Sequence, residues 1–146
     1  MSIEVYFYPS LTEELFRLRE SVFIGEQHFP YEIDDNDSRS IHVGLFKDNE
    51  LVGVARYFPI DEAKNTYIVG RFAIRKDLRG VGLGKLLMEK IEHQLMNKGA
   101  KEILIHAQIE AVDFYLKCGF KIEGDTFVEE GHEHKLVKKI LEQHNW

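Results

Sequence analysis

The stretch Arg79-Gly80-Val81-Gly82-Leu83-Gly84 lies between a β-prone run, Thr66 to Ile74, and a helical one marked by Leu83, Leu86, Leu87, Ile91 and Leu95. Glycines at such a junction let the backbone approach a ligand closely with its amides turned outward. The start of the helix adds the equivalent of about half a positive charge. No Ser, Thr, Asp or Asn stands at the cap position, since Asp77 comes too early, so the first amides of the helix need another acceptor. The spacing predicts an anion cradle suited to a diphosphate, with Arg79 and Lys85 adding charge. A glycine-rich helix entry that holds no ligand is the competing reading.

Two phosphate-loop patterns fail on named residues. A dinucleotide fingerprint GxGxxG beginning at Gly80 requires glycine where Lys85 stands. A P-loop ending at Gly84-Lys85 requires Ser or Thr in place of Leu86, and glycine in place of Arg79. The pattern that remains is R-x-x-G-x-G.

On the N-terminal side, Ile3 to Tyr8 reads as a short strand closed by Pro9. Ser10-Leu11-Thr12-Glu13 matches a capping box, and Leu11, Leu15, Leu18 and Val22 predict a helix over about 11 to 25. Glu26 to Ser38 is polar and reads as an irregular loop carrying Glu32, Asp34, Asp35 and Asp37, a solvated cluster or a lure for a cationic substrate. Ile41 to Phe46, Leu51 to Phe58 and Thr66 to Ile74 then predict an antiparallel meander turned at Asp48-Asn49-Glu50. Beyond the glycine loop, Lys98-Gly99 ends the long helix. Glu102 to Ala107 is a strand, and Ala111, Phe114, Tyr115 and Cys118 mark a short helix stopped by Gly119. Two more strand-like runs follow, Phe120 to Glu123 and about Thr126 to Ile140, the latter interrupted near Gly131. The order βαβββαβαββ predicts a mixed α/β (α+β) fold, one mixed sheet with helices packed on it and a strand-helix-strand crossover at its centre.

The chain has 146 residues, 44% hydrophobic and 30% charged, which suits one globular domain over 1–146. No apolar run approaches the roughly 18 residues needed to cross a bilayer. The N-terminus lacks the basic-then-apolar pattern of a secretory signal. A single cysteine, Cys118, cannot form an internal disulfide, so a cytoplasmic location is expected. A net charge of −6 disfavours nucleic acid and anionic membrane surfaces as partners and favours a cationic substrate such as an amine.

The loop Arg79 to Gly84 resembles the acetyl-CoA pyrophosphate motif of the GNAT superfamily of N-acetyltransferases. A second block, Gln108-Ile109-Glu110-Ala111-Val112-Asp113-Phe114-Tyr115-Leu116-Lys117-Cys118-Gly119-Phe120, is similar to the family segment N-x-x-A-x-x-F-Y-x-x-x-G-F, with Gln108 in place of the usual asparagine. The likeness covers about residues 40 to 140. Val22-Phe23-Ile24-Gly25-Glu26-Gln27, followed by Pro30, Tyr31, Asp34 and Asp37, resembles the ElaA-like branch. The resemblance implies a three-layer fold with a mixed sheet of about six to seven strands between helices. It implies that Phe72, Ala73 and Ile74 hold the pantetheine arm and polarise the thioester carbonyl. Arg79, Gly80, Val81, Gly82, Leu83, Gly84 and Lys85 would bind the diphosphate, and Gln108 would sit at the cofactor side. Tyr115 would protonate the departing thiolate. A homodimer is compatible with the family.

The implied reaction needs the neutral amine. For a lysine-like amine at pH 7 that form costs about 4.6 kcal/mol, so a base or a desolvating pocket is required. His134, in Gly131-His132-Glu133-His134-Lys135, is the candidate base because histidine titrates near neutrality; a structural histidine is the alternative. Glu26 and Glu32 are further candidates, and Arg19, Glu26 and Arg71 are candidates for holding the substrate. His132, His134 and Glu130 share a strand face, but no structural-zinc ligand set is visible, so no metal is expected. Cys118 reads as a packed apolar residue, because direct transfer needs no acyl-enzyme. The function that follows is acetyl-CoA-dependent N-acetylation of a primary amine on a small molecule or peptide. The alternative is a non-catalytic acyl-CoA-binding module.

Overall fold

The computed structural model describes residues 2–27 and 34–141. Seven strands form one mixed sheet in the order β1-β2-β3-β4-β5-β7-β6: β1 (Ile3–Tyr8), β2 (Ile41–Lys47), β3 (Glu50–Asp61), β4 (Thr66–Ile74), β5 (Glu102–Gln108), β6 (Lys121–Glu129) and β7 (His132–Ile140). Three α-helices accompany them, α1 (Glu13–Glu20), α2 (Leu83–Asn97) and α3 (Val112–Lys117), in the element order the sequence predicts. Pairing is antiparallel for β1 with β2, β2 with β3, β5 with β7 and β6 with β7. The exception is β4 with β5, which run parallel through Thr66↔Glu102, Tyr67↔Ile103 and Ile68↔Leu104. A parallel pair requires a crossover, and α2 supplies it.

Two compact units emerge from the contacts: Met1–Phe58 with Gly70–Ile91, and Pro59–Val69 with Glu92–Trp146. In the first, Leu15, Val22, Phe23, Leu51, Val54 and Ala73 form a buried cluster, with Tyr8, Leu11, Leu18 and Phe46 packed against it. In the second, Ile103, Ile105 and Ala107 are buried at alternate positions of β5, the period-two pattern of a strand with one face covered. Helix α2 buries Leu83, Leu87, Met88, Ile91 and Leu95 along one stripe. It closes in a Schellman motif, Ala100 N–H to Leu95 O at 2.9 Å and Gly99 N–H to Met96 O at 2.9 Å, with Gly99 at φ 84°.

Three local expectations are corrected. Helix α1 starts at Glu13, capped by the Thr12 hydroxyl accepting from Leu15 N–H at 3.2 Å, so the Ser10–Glu13 capping box does not form. The chain then widens into π-helical turns over Ser21–Glu26, with Gln27 N–H bonded to Val22 O at 2.9 Å, instead of continuing as α-helix to about 25. In the C-terminal hairpin the interruption near Gly131 is the turn, with φ of 51° and 78° at Glu130 and Gly131, but the two runs separated before it join into one strand, β6. Gly124 instead belongs to an irregularity inside β6, where the register shifts between Glu123 and Phe127.

Candidate active site

The end of β4 is held against β3 by a missing side chain. A Cβ on Gly53 would lie 2.8 Å from Ile74 Cδ1 and 3.3 Å from Leu45 Cβ, so a larger residue there would push the Ile74 side chain out of its present position. Arg75 N–H donates to Val52 O at 2.7 Å and fixes the exit of the strand. Ala73 and Ile74 are buried. A single 3₁₀ turn, Lys76–Leu78, leads into the glycine loop. Asp77 accepts from Arg75 Nε at 2.7 Å, which removes it as a cap for the next helix.

Arg79 is extended (φ −81°, ψ 154°), and Gly80 and Gly82 then take φ of 81° and 89°, a region costly for any residue with a Cβ. A Cβ at either glycine would meet nothing within 4 Å, so the conformation requires glycine here rather than crowding. Val81 between them is 66% exposed. Helix α2 opens at Leu83, and its first helical bond runs from Leu86 N–H to Gly82 O at 3.1 Å. The capping position is therefore a glycine with no side chain to offer. The amides of Leu83, Gly84 and Lys85 precede that first bond and are the groups a bound anion would satisfy.

Arg79 and Glu26, expected at the diphosphate and at the substrate respectively, hold each other. Arg79 Nη1 and Nη2 donate to the two Glu26 oxygens at 2.7 and 2.6 Å, while Arg79 Nε donates to Ile74 O at 2.9 Å. The hydrogen bond from Arg79, against a smaller opposing effect of burial, keeps the Glu26 carboxyl below the usual range. Glu26 also lines a cleft of about 600 Å³ with Leu18, Ser21, Val22, Lys76 and Asp77.

The acidic segment is tied down rather than solvated at two of its carboxylates. Asp37 Oδ1 accepts from Arg19 Nη1 at 2.8 Å and Arg56 Nη1 at 3.0 Å, and its Oδ2 accepts from Arg19 Nη2 at 3.1 Å and the Asp34 amide at 3.0 Å. Asp34 takes Arg56 at 2.6 and 2.8 Å and Arg71 at 3.4 Å. Burial alone would raise both carboxyls, but the arginines hold them below the ordinary range. His42, buried beside them, donates Nε2–H to Asp37 O at 2.9 Å, and burial pushes its pKa down. Arg19, a candidate for the substrate, is 1% exposed and serves as a strut of this network. Arg71 adopts φ 47° within β4, and its guanidinium also lies 5.8 Å from the Phe23 ring centroid. Pro30, Tyr31 and Glu32 lie outside the described residues.

In the second unit, Tyr115 sits on α3, 6% exposed, edge-on to Phe114 and Phe120. Its carbonyl accepts from Phe120 N–H at 3.1 Å as the helix ends at Gly119, so the F-Y-x-x-x-G-F spacing builds its own Schellman cap. Burial, with a smaller contribution from Cys118, raises the Tyr115 pKa well above its ordinary value and keeps the phenol protonated. Gln108, the last residue of β5, is the register partner of His134 on β7. His134 is buried, stacks on Phe127, and donates Nδ1–H to His132 O at 2.8 Å. A carbonyl only accepts, so the neutral ring carries its lone pair on Nε2, which lies 4.0 Å from Glu129 Oε2. Glu129 Oε1 is 3.1 Å from His106 Nδ1. Sequence reasoning missed this carboxylate, because nothing local in β6 marks it. Cys118 is half-buried, and its carbonyl accepts from Lys139 at 2.7 Å. Among the described residues, no group of three or more His, Cys, Asp or Glu could hold a metal ion, and no helix is long and apolar enough to cross a membrane.

Comparison with known proteins identifies the family. Residues 7–120 match the model of the acetyltransferase (GNAT) family. The uncharacterized Bacillus subtilis protein YyaT is 31% identical over 133 residues, 88% of each chain. Escherichia coli ElaA is 32% identical over 133 residues, 88% of this chain and 87% of that one. The ElaA crystal structure superposes with a TM-score of 0.80 at 27% identity, covering 93% of this chain and 99% of that one. A Bacillus subtilis acetyltransferase in complex with CoA has the same fold, with a TM-score of 0.75 at 19% identity over 96% of this chain and 99% of that one. The chain belongs to the GNAT family of acetyltransferases, in its ElaA-like branch.

Proposed function

We propose that this protein transfers an acetyl group from acetyl-CoA to a primary amine by direct attack on the thioester. The observation that carries the reading is the entry to α2: two left-handed glycines, no capping side chain, and amides at Leu83, Gly84 and Lys85 ahead of the first helical bond. The complex of a structural neighbour with CoA supports the choice of ligand. Phe72, Ala73 and Ile74, locked by Gly53 and the Arg75–Val52 bond, are the segment assigned to the pantetheine arm.

In the reaction the amine nitrogen attacks the carbonyl carbon and its surplus proton passes to His134 Nε2. The carbon–sulfur bond then breaks, and the thiolate takes the proton of the Tyr115 hydroxyl. An imidazole with its lone pair fixed on Nε2 suits the first role; burial keeps the phenol protonated and so able to donate, while making it a weaker acid toward the thiolate. Tyr115 and His134 both lie in the second unit. Free thiol released from acetyl-CoA in the presence of a panel of primary amines tests the assignment. Amine-dependent release is expected with at least one acceptor. Tight binding of acetyl-CoA with no release on any amine, amino acid or peptide would make the protein a binding module instead.

A further inference from the structure

We infer that Glu26 is a positioning residue for the acyl-CoA loop, acting through Arg79, and that Arg79 braces the loop instead of contacting the diphosphate. This rests on the functional reading above only for the identity of the ligand. The Arg79 guanidinium has one N–H on Nε and two on each terminal nitrogen. Its Nε bonds the last carbonyl of β4, and its terminal nitrogens form a two-pronged pair with Glu26. The side chain thus ties the first residue of the loop to two elements: the strand end assigned to the thioester, and the π-helical turns of Ser21–Glu26. Glu26 is the residue that ends those turns.

The reason for a brace lies in the residues that follow. A Cβ on Gly80 or Gly82 would meet nothing within 4 Å and Val81 between them is exposed, so side-chain packing does not hold these three residues in place. Ordering such residues costs conformational entropy, which the ligand must otherwise offset. Anchoring Arg79 lowers that cost before the ligand arrives. With its charge matched by Glu26, Arg79 adds little to anion attraction, and the amides of the helix start carry the contact.

The test uses Glu26→Ala, Arg79→Gln and the double variant, each titrated with coenzyme A, alongside amide hydrogen exchange on the ligand-free proteins. Each single variant is expected to bind coenzyme A up to about fivefold more weakly, the factor that corresponds to a partly exposed ion pair. The double variant should be no weaker than either single one. In turnover the loss should fall on KM for acetyl-CoA rather than on kcat. Amides 80–84 should exchange faster in Glu26→Ala than in the native protein. Equal or tighter binding by Glu26→Ala, additive losses in the double variant, or unchanged exchange over 80–84 would overturn the brace. Failure of the native protein to bind coenzyme A would sink the acyltransferase reading, while the exchange comparison still decides the brace.

Discussion

Arg19 and Asp37, eighteen positions apart in the chain, form a buried pair in which both terminal nitrogens of the arginine reach the carboxylate, at 2.8 and 3.1 Å. The pair anchors the segment that follows the π-helical turns to helix α1, and Arg56 adds a third bond at 3.0 Å. Removing Arg19 leaves the buried Asp37 charge with Arg56 and the Asp34 amide as partners and an empty place beside it. Arg19→Ala should therefore cost about 3–5 kcal/mol in urea unfolding. A loss below about 1 kcal/mol would mean that the pair is replaceable by water.

The same network sets the pH dependence of stability. Asp34, Asp37 and His42 all have folded pKa values below their ordinary ones of 3.8 for the aspartates and 6.5 for the histidine. The unfolded chain then binds protons first as pH falls, so stability present at pH 7 declines below about 6.5 and falls again below about 3.8. Thermal unfolding followed from pH 7.5 to 3 should show both steps. His42→Gln should flatten the upper one, and an unchanged upper step would remove His42 from the account.

Gly53 leaves the space that the Ile74 side chain occupies. With a Cβ placed 2.8 Å from Ile74 Cδ1, Gly53→Ala should destabilise the fold by about 1–3 kcal/mol. It should also weaken acetyl-CoA binding, because the displaced residue ends the strand assigned to the pantetheine arm. Stability lost with binding intact would separate the two.

Tyr115→Phe keeps the ring contacts with Phe114 and Phe120 and deletes the hydroxyl. The kcat should fall about 10²-fold with coenzyme A affinity retained. His134→Asn removes the Nε2 lone pair and should cost a comparable or larger factor. Full activity in either variant, measured by thiol release, would reassign that role.

Much of this was legible in the sequence, and what was not shares a physical cause. The order βαβββαβαββ follows from hydrophobic periodicity and from Gly99 and Gly119, whose left-handed φ of 84° and 95° ends each helix where local chemistry requires it. Periodicity does not separate α from π turns, since Val22 and Phe23 are buried under either reading. Ser10 and Thr12 are both capping residue types, and the helix takes Thr12. Gly124 and Gly131 look alike in sequence, yet one lies inside β6 and the other turns the hairpin. The carboxylate partners of Arg19, Arg56 and Arg79 lie 18 to 53 positions away, a range at which sequence spacing carries no signal. The glycine loop could be recognised as a candidate anion site because that chemistry is local backbone. The arginine–carboxylate pairs could not, because their members are far apart in the chain.

The most direct measurement is a calorimetric titration of acetyl-CoA into the native protein and Gly82→Ala. Gly82 sits at φ 89° with open space around it, so alanine meets no clash and is opposed only by the left-handed backbone. The account predicts stoichiometric binding to the native protein and binding at least about tenfold weaker to Gly82→Ala, with its thermal midpoint lowered by only a few degrees. Equal affinity in the two proteins, or no binding to either, would contradict it.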